Sequence, residues 1–253
     1  MRGMNFNGSF CDSGFLKKGL KSGTKRRLKR GLAMLLAFLM LPFSDFVGIG
    51  IREVFADTQA ESVTVKEDYV LTEDLRVNDL VVEEGTLNLN HHALYVEGNL
   101  IQRGGRLELG GGCLSVEGNC EISGTGILSM KDDADRFYVA GDFFMKAGVR
   151  NEEIYGGRME ILGDFVQSAG DEEGNFYTSN SFTLYLTGDE VQRLVMEEAG
   201  GSRGSRIANL VIENKSQEGV ILEGSPYVSG RVTSYGNRVT GYLGIGNGTE
   251  FTE

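Results

Sequence analysis

The stretches L94YVEGN99, L114SVEGN119, F137YVAGD142, M159EILGD164 and L184YLTGD189 repeat one step, apolar-x-apolar-x-Gly-Asn/Asp, with glycines 20, 23, 22 and 25 residues apart. Four positions before each glycine stand Leu94, Leu114, Phe137, Met159 and Leu184. Two before stand Val96, Val116, Val139, Ile161 and Leu186, and two after the first four stand Leu100, Cys120, Phe143 and Phe165. Matching residues at one repeat length read as columns of a stacked core. A period of roughly 20 to 25 residues with period-two alternation predicts a β-solenoid, whose coils bury their inward side chains against neighbouring coils. The expected fold class is all-β, a single-stranded parallel β-helix.

A second strand face repeats as well. Gly85, Leu87 and Leu89 lie 20 residues before Gly105, Leu107 and Leu109. Each regular coil then reads as strand, Gly-Asn corner, short strand, Gly-x-apolar-x-apolar strand and turn. Glycine at the corner is expected to supply a positive φ, and Asn or Asp to hydrogen-bond the turning backbone. The competing local reading is a set of β-hairpins, since Gly-Asn and Gly-Asp also suit two-residue turns. Hairpins, however, require no aligned columns. The 37 glycines and two prolines suit frequent corners and uninterrupted ladders.

Residues 1–56 differ in kind. Eight basic residues from Lys17 to Arg30 precede the apolar run L32AMLLAFLMLPF43, the pattern of a secretory leader. The run falls short of the roughly 20 residues that span a membrane. Cleavage after V54FA56 is the expectation, with an uncleaved membrane anchor as its rival. The leader holds 10 of the 25 basic and 3 of the 36 acidic residues, leaving 15 against 33 and a formal charge near −18 beyond it. Such a chain is a poor partner for nucleic acid, which is bound by neutralising phosphates. The domain map expected is leader 1–56, cap or irregular first coil 57–80, solenoid 81–224 and irregular segment 225–253. Departures from the repeat at about 146–156, 168–180 and 199–206 read as loops leaving the coil, although M196EEAGGSRG204 also admits a short helical turn. Open ends of the array invite self-association.

Few residues offer chemistry. The acidic clusters D132DADR136 and D171EEGN175 are candidates for paired carboxylates through Asp132, Asp133 or Asp135, or for a calcium loop, yet both sit where turns ordinarily carry acid. His91 and His92 are adjacent, so an extended segment points them to opposite sides; a turn is their expected home. Cys120 occupies an apolar column and reads as a buried thiol, with a Cys113–Cys120 bridge as the alternative. Gln102, Gln167 and Gln192 each follow a step glycine by four residues, which predicts a glutamine ladder. No residue is singled out as catalytic, cofactor-binding or metal-binding, and no cofactor is expected.

Over residues 70–224, V139AGDFFMKAG148, M159EILGDFVQ167, F182TLYLTGDEVQRL194 and I207ANLVIENKSQEGVIL222 resemble glycine-rich repeat regions of large secreted surface proteins from clostridial-type bacteria. The shared steps are Gly163 to Gln167, Leu186 to Gln192 and Leu210 to Ser216. The stretch also resembles bactofilins, polymer-forming bacterial β-helices, but their coils are shorter and cytoplasmic, whereas this chain carries an export leader. The resemblance implies a surface module and assigns no catalytic residue. The expected function is an exported bacterial surface or extracellular structural or adhesive module without catalysis, binding a protein or glycan macromolecule. A carbohydrate-active β-helix enzyme and a self-assembling scaffold are the alternatives.

Overall fold

A computed structural model describes residues 61–171, 174–197 and 199–252. The leader expected at 1–56 lies outside the described residues, as do Glu172, Glu173, Glu198 and Glu253. In chain order the first strands are β1 (Val63–Val65), β2 (Tyr69–Val70), β3 (Leu75–Val77), β4 (Leu80–Val82), β5 (Thr86–Asn88), β6 (Ala93–Val96), β7 (Leu100–Gln102) and β8 (Arg106–Glu108). Next come β9 (Cys113–Val116), β10 (Cys120–Gly124), β11 (Ile127–Ser129), β12 (Arg136–Val139), β13 (Phe143–Ala147), β14 (Arg158–Ile161), β15 (Phe165–Gln167) and β16 (Thr183–Leu186). The last are β17 (Gln192–Met196), β18 (Asn209–Ile212), β19 (Val220–Gly224), β20 (Tyr227–Val228), β21 (Arg231–Ser234), β22 (Val239–Thr240), β23 (Gly244–Ile245) and β24 (Glu250–Thr252). The described chain contains no helix.

The strands form a β-solenoid. One nine-stranded sheet runs β1-β4-β7-β10-β13-β15-β17-β19-β22 and a second runs β3-β6-β9-β12-β14-β16-β18-β21-β24. The third face holds β2-β5-β8-β11 and β20-β23, joined through isolated bridges at Ile154, Thr178, Arg206 and Ile207. The named strand pairs are parallel throughout, which excludes the hairpin reading. With strands about 4.8 Å apart, the nine-stranded stack is about 40 Å long.

The register reproduces the columns read from the sequence and extends them. Leu75, Leu94, Leu114, Phe137, Met159, Leu184, Leu210, Val232 and Phe251 form one column, with successive members 19, 20, 23, 22, 25, 26, 22 and 19 residues apart. The coil therefore widens toward the middle and narrows to the same length at both ends. Larger side chains fill the wide part. Phe143 and Phe165 stack with centroids 5.3 Å apart, and Phe176 meets Phe165 edge-on at 5.0 Å. These rings, with Phe137 and Phe182, are fully buried, and each contributes core area that a coil cannot bury alone.

Several expectations are corrected by this geometry. Of the two readings for 57–80, cap or irregular first coil, residues 63–77 follow the second: β1, β2 and β3 pair in register with β4, β5 and β6. Beyond 225 the chain is likewise regular enough to continue both nine-stranded sheets, through β21, β22 and β24. Cys120 is free and buried, so no Cys113–Cys120 bridge forms; burial pushes its thiol far above the ordinary range. The glutamine ladder is absent. Gln102 and Gln167 share a column but are separated by Ile122 and Met145, while Gln192 pairs with Val220 at another position.

The step glycines also have a different cause from the one expected. Gly98, Gly118, Gly141 and Gly163 do not adopt a left-handed φ. Each sits directly over the Asn or Asp of the coil before it. A Cβ on Gly118 would approach Asn99 Oδ1 to 2.7 Å, and one on Gly141 would lie 2.6 Å from Gly118 O and closer still to Asn119 Oδ1. Positive φ belongs instead to glycines such as Gly85 and Gly105, which open the third-face strands.

Candidate binding surface at the stacked corner

The Gly-Asn/Asp steps build a continuous polar ladder on one edge. Asp79 Oδ1 accepts from the Asn99 N–H at 2.8 Å, Asn99 Oδ1 from Asn119 N–H at 2.9 Å, and Asn119 Oδ1 from Asp142 N–H at 2.8 Å. Asp142 Oδ1 accepts from Asp164 N–H at 2.8 Å, and Asp164 Oδ1 from Arg193 N–H at 2.7 Å. Burial, followed by the nearby Asp142 charge and opposed by the Arg193 N–H, holds the Asp164 carboxyl above its ordinary pKa. This edge uses one side-chain oxygen of each rung to hold the coils in register.

Between the first sheet and the third face, the widened coils place the described residues of 148–157, 168–180 and 197–206 one above another. They are not simply loops leaving the rod, because Met130, Ile154 and Thr178 bridge in succession, as do Tyr177 and Arg206. The short helical turn admitted at 196–204 is present as a single α-turn: β17 ends at Met196, Gly204 N–H donates to Gly200 O at 3.0 Å, and Gly200 N–H donates to Ser205 O at 2.8 Å. The protrusion is therefore a tight turn closed by a bridge between Ala199 and Ser205.

A buried amide ties these segments together. Asn175 Nδ2 donates to Ala147 O and Ser168 O, each at 2.9 Å, and its Oδ1 accepts from Gln167 Nε2 at 2.8 Å and Ser205 Oγ at 3.2 Å. The Asn175 amide has all its donors and acceptors engaged, whereas Gln167 Oε1 in the same cluster has no partner, and in a low-dielectric interior these bonds favour one arrangement of the segments they join. Above it, the Arg150 and Arg206 guanidinium carbons lie 5.2 and 4.2 Å from the centroid of the Tyr177 ring. Arg150 pairs with Glu152 and donates to Arg203 O at 3.0 Å, and Arg206 donates to Gly201 O at 2.9 Å. All three residues are partly buried. Beside Arg150, Lys146, Gly148, Val149, Gly170 and Asp171 border a shallow cleft of about 420 Å³. A cationic, aromatic, pre-positioned surface can stack on planar or sugar groups and hydrogen-bond acceptors. No constellation in the sequence announced it, because its members come from three coils through segments of unequal length, even though Tyr177 and Arg206 bridge in register.

The acidic candidates have structural employment. Asp135 is fully buried and accepts from Gly111 N–H at 2.6 Å and Asp132 N–H at 3.0 Å. Burial raises its carboxyl pKa, against the opposing effect of those N–H donors. Asp132 Oδ1 accepts from Ala134 N–H at 2.8 Å, and Asp133 accepts from Ser181 Oγ. The cluster is thus accounted for by turn formation. Of the second cluster, exposed Asp171 borders the cleft. His91 occupies a turn with φ 67°, and His92 Nδ1 lies 3.7 Å from Asp74 Oδ1. Among the described residues no group of His, Cys, Asp and Glu is arranged to hold a metal ion.

Comparison with known proteins returns no family model that matches this chain, no similar curated protein and no similar solved structure.

Proposed function

We propose that this chain is an exported bacterial surface or extracellular module, structural or adhesive rather than catalytic, which engages a protein or glycan through its stacked corner segments. The observation that carries this reading is the Arg150–Tyr177–Arg206 arrangement, held above the buried Asn175 network. The regular part of the rod uses its polar groups on itself, as the Asp79-to-Asp164 ladder illustrates. At the corner Arg150 and Arg206 also bond Glu152 and backbone carbonyls, and these contacts hold partly buried cations and an aromatic ring at fixed positions on the surface. Export is supported by the basic and apolar pattern of residues 17–43 and by the acidity of the remainder, which favours solubility.

The test is retention of the full chain on bacterial surfaces and on glycan and matrix-protein panels, with an Arg150→Ala/Arg206→Ala variant as comparison. Saturable retention by the wild type, reduced at least about tenfold by the double substitution, is expected if these cations anchor the contact. Equal retention of both proteins places binding elsewhere, and no retention of either rejects the adhesive reading. Release of oligosaccharide from a glycan panel would replace it with the carbohydrate-active alternative.

A further inference from the structure

We infer that the second nine-stranded sheet binds an extended, uncharged β-1,4-linked polysaccharide along the rod axis, on a platform built from Tyr95, Tyr138 and Tyr185. β6, β12 and β16 each bury their second and fourth residues and leave the third partly exposed. That third residue is a tyrosine in all three strands, and it points away from the core because side chains alternate along a strand. Register puts the three in one outward column. Tyr95 and Tyr138 both pair with Ser115, and Tyr138 and Tyr185 both pair with Glu160. The tyrosines therefore occupy every second rung, about 10 Å apart at ordinary strand spacing. Two sugars of an extended β-1,4-linked chain advance by a comparable distance, and alternate sugars in such a chain present the same face.

The chemistry between the tyrosines suits hydroxyl groups. Ser115 and Glu160 stand on the intervening rungs, so the column is not the continuous apolar patch that forms the core of a protein interface. Arg158 Nη2 donates to Glu160 Oε2 at 2.7 Å, and its guanidinium carbon lies 3.7 Å from the Tyr185 ring centroid. Arg76 repeats the arrangement at Tyr95, 5.0 Å from the ring centroid and bonded to Glu97 Oε1 at 2.9 Å. These contacts hold the two rings in place and pair each cation with a carboxylate. Charge selects an uncharged chain. Burial first, then Glu117, Glu160 and Asp189, push the Tyr138 phenol up to about 12. It stays a neutral hydroxyl beside carboxylates that repel a polyanion and accept from sugar hydroxyls. The platform lies on a different sheet from the corner segments and uses none of Arg150, Tyr177 and Arg206.

The experiment uses the full chain, with cellulose, chitin and starch as solid probes and Tyr138→Ala and Tyr138→Phe as variants, each checked for its β signal by circular dichroism. Tyr185→Ala and Tyr185→Phe serve in their place if that signal is lost. Wild-type protein should be retained on cellulose if the sheet takes unsubstituted glucose and on chitin if it takes the acetamido sugar. It should pass over starch, whose α-1,4 linkages coil the chain away from a straight row of rings. Tyr138→Ala should weaken retention about tenfold, and Tyr138→Phe, which keeps the ring, less than about threefold. In calorimetry the five-sugar fragment of the retained polymer, long enough to reach all three tyrosines, should bind about tenfold more tightly than the two-sugar fragment. The Arg150→Ala/Arg206→Ala variant should bind these polymers as the wild type does. No retention on cellulose or chitin, equal retention on starch, or undiminished retention of Tyr138→Ala overturns the inference. Loss of retention in the arginine variant overturns it too, by moving the glycan to the corner.

Discussion

Asn119 Oδ1 lies 2.8 Å from the Asp142 backbone nitrogen, and the residue before that nitrogen, Gly141, has no room for a Cβ above the same oxygen. The two halves of the repeated step thus act across coils. The Asn or Asp of one coil caps the backbone of the next, and the glycine of the next makes space for that cap. This reciprocity explains why the dipeptide recurs as a unit.

Removing one rung should cost about 1 kcal/mol, the net worth of a typical hydrogen bond. Asn119→Ala deletes the acceptor for Asp142 N–H without placing any new atom over Gly141. Denaturant unfolding should show a lower midpoint with an unchanged slope. A change in slope would mean that the substitution alters how much of the rod unfolds together.

The charge of the ladder makes a pH-dependent prediction. Burial first, then Asp142 and Glu223, raise the Asp164 carboxyl in the folded chain. A folded pKa above the unfolded one means that stability from this group is present below the unfolded pKa and is lost as pH rises through the raised value. Asp164→Asn keeps an oxygen for Arg193 N–H and cannot ionise. It should therefore stabilise the chain near neutral pH by less than about 1 kcal/mol, given the exposure of the site, and have no such benefit below the ordinary carboxylate range. Thermal midpoints of both proteins across pH check this; a benefit that grows toward acid would refute the sign.

The buried glutamines should differ sharply in what they contribute. Gln192 Nε2 donates to Ile161 O at 3.0 Å and Gly163 O at 2.7 Å, while its Oε1 accepts from Gly188 N–H at 2.8 Å and Asn214 Nδ2 at 2.9 Å. Gln192→Leu orphans these partners and should cost roughly 2–4 kcal/mol. Gln102 Oε1 is buried without a hydrogen-bond partner, so Gln102→Met should cost less than Gln192→Leu. Equal losses in denaturant unfolding would contradict the assignment.

The columns were legible in the sequence because parallel stacking repeats identical environments, so Leu94, Leu114 and Phe137 had to share a chemical character. Gln192 was misplaced for the converse reason. Gly98 and Gly163 precede their core residues Leu100 and Phe165 by two positions, but Gly188 precedes Leu194 by six. The added residues move Gln192 to the corner, where a fixed offset from glycine cannot find it. The third face was legible where Leu87 and Leu107 recur, and the structure extends it to Leu128 before Ile154 and Thr178 replace strands by single bridges. The Arg150–Tyr177–Arg206 arrangement was hidden altogether, since neighbouring coils bring it together from unequal insertions.

The glycine of the repeated step serves stacking and not local backbone freedom. Unfolding free energies of Gly141→Ala and Gly201→Ala, measured side by side, test it most directly. Gly201 has φ 66° with nothing within 4 Å of an added Cβ, whereas Gly141 lacks a left-handed φ but faces Asn119 Oδ1 and Gly118 O. Gly201→Ala should cost about 1 kcal/mol through backbone strain, and Gly141→Ala roughly 3 kcal/mol or more through overpacking between coils. A Gly141→Ala protein as stable as the wild type, or less affected than Gly201→Ala, would mean that this glycine does not serve the stacking of coils.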